Sequence, residues 1–409
     1  MRLKDIAYIN PAYTGPDLGD QLVSFSPMEC LRYDSLKPIT ISFSEAKGKY
    51  TFFKDNDILF AKVTPCFENQ NIAIANNLVN GIGFGSSEIN VLRLKSDASL
   101  RYMFYVICSN RFYNTGCSSM CGVGGLKRIN PRAVSTFEFT MPSLTEQEAI
   151  AAYLDKECEK IGRKIELLER KAYAYSRLRR SLINRAVTRG LDPNVSLKPS
   201  PIAYETEIPS HWEIRRIKSL FEERIEYSYT GNEDLLSVSE YYGIAKRADI
   251  IDNENISPSD SLEGYKRCYI GDIVSNIMLA WKGSLGMTNY NGIVSPAYGV
   301  YKPIYKLNSR YYHYLFRTEL YKAIFKNHSR GIIDSRLRLY TPNFLALKTF
   351  YPPLSEQNEI AAYLDEKCAK IDTILEKINT EVERLKELKR SLINEVVTGQ
   401  RAIDTESRS

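Results

Sequence analysis

One stretch of this chain is written twice, and that repeat constrains the fold more than any other feature. The segment MPSLTEQEAIAAYLDKECEKI, beginning at Met141, returns as YPPLSEQNEIAAYLDEKCAKI, beginning at Tyr351. The offset of 210 residues holds without a gap through RRSLINRAVT (Arg179 to Thr188) and KRSLINEVVT (Lys389 to Thr398), with about 22 of 48 positions identical. The offset is about half of the 409 residues. A single hydrophobic core stops growing at roughly 250 to 300 residues. The chain is therefore expected to fold one unit twice, with a pseudo-twofold relation between the copies.

Weaker echoes lie between the strong ones. Arg2 to Ile6 matches Arg216 to Leu220, Asp57-Ile58-Leu59 matches Asp272-Ile273-Val274, Arg101-Tyr102-Met103 matches Arg310-Tyr311-Tyr312, and Leu126 to Pro131 matches Leu337 to Pro342. The ends of the repeats are close copies and the bodies before them have diverged. This contrast points to a shared structural role for the ends and a different task for each body.

Each repeated end reads as one long helix. Thr145 and Ser355 stand as N-cap candidates after the proline turns at Pro142 and at Pro352-Pro353, with Glu148 completing a capping box in the first copy only. Leu154, Cys158, Ile161, Ile165, Leu168, Ala172, Tyr175, Leu178 and Leu182 then step by four and three. Leu364, Cys368, Ile371, Leu375, Ile378, Val382, Leu385, Leu388 and Leu392 repeat the pattern, a seam of about five heptads. At 1.5 Å per residue each helix would be roughly 60 to 65 Å long. Such a stripe needs a partner of equal length, so the two helices are predicted to pair antiparallel as a coiled coil that keeps the bodies apart.

The expected order is a first body over 1–140, a first long helix over 141–189, and a Pro- and Ser-rich linker loop over 190–210 that opens with Gly190-Leu191-Asp192-Pro193. A second body over 211–350, a second long helix over 351–399 and a tail over 400–409 follow. The bodies mix short β-rich runs (Ile58 to Phe60, Ile89 to Leu92, Ile273-Val274) with helical ones (Leu100 to Ser109, Arg310 to Phe325). The fold class expected is α+β, two mixed α/β domains joined to two long helices.

Composition narrows the chemistry. Fifty-five Lys and Arg against 49 Asp and Glu give a net charge of +6, which permits a nucleic-acid partner without requiring one. The 28 tyrosines are unusual, since a tyrosine can pack in a core while its hydroxyl reaches a phosphate or a base edge. No apolar run reaches the roughly 18 to 20 residues of a membrane span and the start has no signal-peptide pattern, so a cytoplasmic protein is expected. Eight cysteines are then read as reduced thiols. Cys117 and Cys121 have no second pair at ligand spacing, and His211, His313 and His328 lie far away, so neither a metal nor any other cofactor is expected.

Catalytic motifs are weak. Asn10-Pro11-Ala12-Tyr13 resembles the Asn-Pro-Pro-Tyr motif of amino-methyltransferases, but no glycine-rich strand-to-helix turn accompanies it, and a plain Asn-Pro turn is the better reading. The run Gly122 to Lys127 lacks the spacing of a phosphate loop. His313 sits in a helical run beside Leu315 and Phe316, with no serine or cysteine nucleophile in an elbow. No catalytic residue is assigned.

The bodies do carry polar and basic loops at matching places. The first holds Lys62 and Thr64, then Asn69, Gln70 and Asn71, and later Ser119, Lys127 and Arg128. The second holds Asn276, Lys282 and Ser284, and later Ser329, Arg330, Arg336 and Arg338. Arg and Lys read guanine edges or bind phosphate, Asn and Gln read adenine, and Ser or Thr suits either. These are the candidate DNA-binding residues.

The two diverged bodies, each followed by a near-identical EQ..IA.YLD helix ending in RRSLIN or KRSLIN, resemble the DNA specificity subunit of type I restriction-modification systems along the whole chain. Gly190 to Pro193 and Glu207 to Glu213 also look like that family's linker and the start of its second target-recognition domain. The resemblance implies a non-catalytic subunit that reads a split, asymmetric double-stranded DNA site, one half per domain. It also implies two methyltransferase subunits as partners and, in the full complex, ATP-dependent restriction subunits. The first body, starting at Met1 aligned to Arg216, has no counterpart of Pro209 to Glu213, which implies an incomplete N-terminal edge and bears on whether a full restriction complex forms. A docking surface for the partner should occur twice, and the repeated helix starts are its candidates: Glu146, Gln147, Ile150, Tyr153 and Leu154 with Glu356, Gln357, Ile360, Tyr363 and Leu364. The rival readings are a coiled-coil adaptor that joins proteins without touching DNA, and an autonomous methyltransferase built around Asn10 to Tyr13.

Overall fold

Alternation along the strand at Ile58–Ala61 explains how the first body is layered. Ile58 and Phe60 point to one side and Leu59 to the other, and all are buried, so this sheet is covered on both faces. The computed structural model describes residues 1–95, 98–123, 125–250 and 261–403. It divides into two units, Met1–Glu169 with Asn379–Ser409, and Arg170–Ile378. Most of the tail expected over 400–409 lies outside the described residues.

In the first unit a four-stranded antiparallel sheet runs in the order Ala7–Ile9, Ile89–Leu94, Ile58–Ala61, Ile72–Ile74. One face packs on the helix Leu100–Cys108 and the start of the first long helix through Leu154 and Cys158. The other packs on Leu31, Phe53 and Leu78. A second sheet, Ile39–Ser42, Leu22–Ser26, Ile82–Gly85, Thr51–Lys54, contains one parallel pair and encloses its own aromatic cluster of Phe43, Phe52 and Phe84. Tyr13 packs edge-on against Phe43 and Phe52, and Asn10 accepts from the Val91 amide at 2.8 Å in a left-handed turn. The Asn10-to-Tyr13 motif is thus a structural turn with a core tyrosine.

The second unit repeats the main sheet in the same strand order: Phe221–Glu223, Gly299–Pro303, Ile273–Ser275, Leu285–Met287. Ile273, Leu285 and Tyr301 face helices, and Val274 and Val300 face a cluster with Leu236, Val238 and Val294. Buried Asp57 and Asp272 open the matching central strands. Each is neutralised by an arginine from a different place, Arg93 at 2.7 Å in one body and Arg224 at 2.8 Å in the other. Divergence has kept the carboxylate and moved its partner.

The long helices span Leu144–Arg189 and Leu354–Val397. In the first unit Leu392, Ile393, Val396 and Val397, near the end of the second helix, share a core with Leu154 and Cys158 near the start of the first, and Lys164 pairs with Glu381 at 2.9 Å. In the second unit Ala186 and Val187 share a core with Ile360, Leu364 and Cys368, and Arg179 pairs with Asp372 at 3.2 Å. Contacts descend one helix as they climb the other, so the pairing is antiparallel. Leu178 and Leu388 leave the expected seam and are exposed, because each helix end turns its apolar face from its partner helix onto a body.

Two details of the helix starts differ from expectation. The first helix starts at Leu144, so its cap lies two residues before Thr145, and its capping box is Ser143 with Glu146: the Ser143 amide donates to Glu146 Oε2 at 2.9 Å. In the second copy Pro353 holds that place and has neither a hydroxyl nor an amide hydrogen to build such a box, while the Gln357 amide donates to the Pro353 carbonyl just as the Gln147 amide donates to that of Ser143. The stretch expected as a plain loop over 190–210 contains a hairpin, Leu197–Pro199 with Glu207–Pro209. At the N-terminus the Met1 ammonium and the Leu3 amide bond to the Phe139 and Phe137 carbonyls. That pairing stands where Glu213–Arg216 pairs with Lys348–Tyr351 in the second unit.

Candidate nucleic-acid interface

In the first body two distant loops are stitched edge to edge. The Thr64 amide donates to the Lys127 carbonyl at 3.0 Å, its hydroxyl donates to the Gly125 carbonyl at 2.6 Å, and the same oxygen accepts from the Lys127 amide at 3.0 Å. The Ile129 amide donates to the Lys62 carbonyl at 2.9 Å, and Arg128 closes on Glu88 with both carboxylate oxygens. That ion pair holds the Glu88 carboxyl below its ordinary value. Lys127 and Asn69 are exposed and Lys62 is half-buried, and the stitching brings Lys62 and Lys127 onto adjoining loops.

Other residues expected at this surface serve the fold. Gln70 is buried in a left-handed turn and donates from Nε2 to the Cys108 carbonyl at 3.1 Å. Asn71 is buried. The Ser119 hydroxyl donates to the Gly116 carbonyl and accepts from the Asn130 amide, which fixes the base of the loop.

The second body assembles its counterpart from three segments. The Leu339 amide donates to the Ile277 carbonyl at 2.8 Å, joining the loop after Ile273–Ser275 to the loop at 329–338. Lys326 bridges them as well, stacking 4.8 Å from the Trp281 ring and pairing with Asp334 at 3.1 Å. Arg330 and Arg338 exchange backbone hydrogen bonds of 2.9 Å in both directions. Among the described residues, the exposed side chains of Arg330, Arg336 and Lys282 make no ion pair or hydrogen bond, although Lys282 lies 5.3 Å from the Trp281 ring. Arg338 is tied down by the Ser335 and Leu337 carbonyls, and the Ser329 hydroxyl by the Phe325 carbonyl. Asn276 and Ser284 are buried. The former bonds the Tyr298 hydroxyl and the Met278 amide, and the latter donates to the Val238 carbonyl.

Sequence reasoning missed Arg317. Its guanidinium donates to the carbonyls of Ser239, Gly283 and Leu285 through Nη1 and of Glu240 and Tyr241 through Nη2, at 2.9 to 3.2 Å. Burial, with the nearby Arg179 and Arg310, pulls it down to about 10. The fork fixes the turn that carries Tyr241, 85% exposed, beside the Lys282 loop. Burial also holds the His313 imidazole well below its ordinary value, and its Nδ1 accepts from the Met287 amide at 3.3 Å, so it is a neutral core histidine.

At the helix starts half of the ten expected docking residues are buried. Gln147 accepts from the Ser99 amide and donates to the Pro142 carbonyl, and Gln357 does the same with Asn308 and Pro352. Leu154, Leu364 and Ile360 are core, while Ile150, Tyr153 and Tyr363 are half-buried. Asp155 takes hydrogen bonds from Arg101 and Tyr105, and Asp365 takes them from Arg310 and Tyr314. These twin networks weld each body to its helix, and they explain why the ends are close copies. Glu356 accepts from Trp212 Nε1 at 2.9 Å and meets His211 at 2.8 Å, whereas Glu146 is exposed at its cap.

The family model for the type I restriction modification DNA specificity domain matches residues 4–170 and again 209–384. The chain belongs to this family. The two matches each cover one body and the greater part of its helix. The specificity subunit of the type I restriction enzyme EcoEI of Escherichia coli is 37% identical over 158 residues, 38% of this chain and 26% of that protein. That of EcoAI, also from Escherichia coli, is 38% identical over 152 residues, 36% of this chain and 26% of that protein. The chain thus spans about a quarter of these curated relatives. The MjaVIII specificity subunit of Methanocaldococcus jannaschii is 24% identical over 324 residues, 73% of this chain and 69% of that protein. A solved structure describing complex assembly and conformational transition of the type I R-M system shares the fold, with a TM-score of 0.72 at 16% identity over 98% of this chain and 97% of its own. The HsdS subunit from Thermoanaerobacter tengcongensis has a TM-score of 0.51, also at 16% identity, over 98% and 96% of the chains.

Among the described residues no helix is long and apolar enough to cross a membrane, and no group of three or more His, Cys, Asp or Glu could hold a metal ion. All eight cysteines are free thiols.

Proposed function

We propose that this chain is the non-catalytic, sequence-reading subunit of a cytoplasmic type I restriction-modification complex, and that each body contacts one half of a split, asymmetric DNA site. The recurrence of the loop pair carries the reading. Lys62 to Asn69 with Lys127 and Arg128 in the first body corresponds to Lys282 with Arg330 to Arg338 in the second. The same topological place bears different side chains, which suits two halves of different sequence. The buried residues Gln70, Asn71, Asn276 and Ser284 shape these loops, and the surface residues make the contacts.

The paired helices then set the half-site spacing, and their duplicated starts carry two methyltransferase subunits, with ATP-dependent restriction subunits joining in the full complex. Glu146, Ile150, Tyr153 and Tyr363 are the residues left accessible for that docking. Selection of bound duplexes from a random DNA pool tests the reading. It should return two short, different motifs separated by a spacer of fixed length. A single uninterrupted motif, or no enrichment, would favour the coiled-coil adaptor.

A further inference from the structure

The loop at 330–338 presents an isoleucine that the fold does not use. Ile332 is 100% exposed and its neighbour Ile333 is 54% exposed, yet the loop is firmly built. The paired hydrogen bonds between Arg330 and Arg338 close its base, Arg338 ties the Ser335 and Leu337 carbonyls, and Lys326 holds Asp334. Gly331 adopts φ +144°, and a Cβ there would stand 2.5 Å from the Arg336 carbonyl oxygen.

The first body repeats the device in its described residues. Cys121 and Arg128 exchange backbone hydrogen bonds of 3.0 and 2.9 Å, Gly122 adopts φ +147° against the Leu126 carbonyl, and Val123 is 89% exposed. Val123 and Ile332 share an offset of 209 residues and follow a glycine in each copy. The bodies have diverged almost everywhere else, so a branched apolar side chain kept in water at both tips needs a use. The occupant is indicated by charge. Arg330 and Arg336 flank Ile332 and Lys127 follows Val123, while the only carboxylate of the 330–338 loop is already bound to Lys326.

Resting on the DNA reading above, we propose that Ile332 and Val123 are apolar wedges that enter between base pairs of their half-sites while the adjacent cations hold the phosphates. An apolar side chain pushed into a base step partly unstacks it, and an unstacked step lowers the cost of turning out a neighbouring base for an enzyme that modifies it.

The test uses the full chain and a duplex selected by it, carrying 2-aminopurine at successive positions. The wild-type chain should raise the fluorescence at one step in each half-site. I332A should abolish the rise in one half-site and keep it in the other, with affinity about fivefold to tenfold lower, and V123A should do the converse; I332F should retain it. Ile332 touches no core, so I332A will fold. Tight binding without any fluorescence rise, or a rise undiminished in I332A and V123A, overturns the wedge and leaves the DNA reading intact. If the wild-type chain binds no duplex at low salt, both fall.

Discussion

Replacing Lys282, Arg330 and Arg336 together by glutamine should flatten the salt dependence of DNA binding by an amount that the structure sets. These three are the cations of the second body's patch without an ion pair among the described residues, whereas Arg338 is tied to two carbonyls. Each phosphate neutralised contributes a slope of about −0.9 to log K against log salt, so three contribute about −2.7. Between 50 and 200 mM salt the wild-type chain should therefore lose roughly 40-fold more affinity than the triple variant. Fluorescence anisotropy on one selected duplex and on a scrambled one measures this, and the loss should be alike on both. R128Q, which breaks an existing ion pair with Glu88, should change the slope by less than one of the three. An unchanged slope in the triple variant would refute the assignment of these cations to phosphate.

Insertion of one base pair between the half-sites should abolish tight binding, because two contacts on one duplex face repeat every ~34 to 36 Å; gel-shift titration across a spacer series shows whether binding tolerates other lengths. Asp57→Ala leaves Arg93 partly buried without its partner and should cost about 2 to 4 kcal/mol by chemical denaturation, with D57N between it and wild type; a loss under about 0.5 kcal/mol would make the pair ornamental. Alkylation by iodoacetamide should label exposed Cys121 first and spare Cys108 and Cys268, whose thiols burial pushes up, until the chain unfolds; peptide mapping by mass spectrometry reads the order.

The repeat made the architecture legible, because 22 shared positions at a constant offset require two copies of one fold and the apolar steps require long paired helices. Leu178 and Leu388 were misplaced for a physical reason. Heptad spacing continues through them, but spacing alone does not record that the helix end trades its partner helix for a body. Of the candidate site the sequence showed the loops, but not which of their side chains face water. Gln70 and Ser284 have the polarity of base readers, yet polarity does not distinguish a side chain facing water from one satisfying a buried carbonyl. Arg317 was invisible because its five carbonyl partners come from two segments, 239–241 and 283–285, far from it in sequence. In the helix starts the repeat was visible, but its cause lies in the twin Gln147 and Gln357 bonds and the Asp155 and Asp365 networks.

The most direct test of the account exchanges residues 1–140 for the corresponding body of another specificity subunit and repeats the selection from a random duplex pool. The account predicts that one half of the enriched site changes while the other half and the spacer stay as they were. A change in both halves, or in neither, would contradict it.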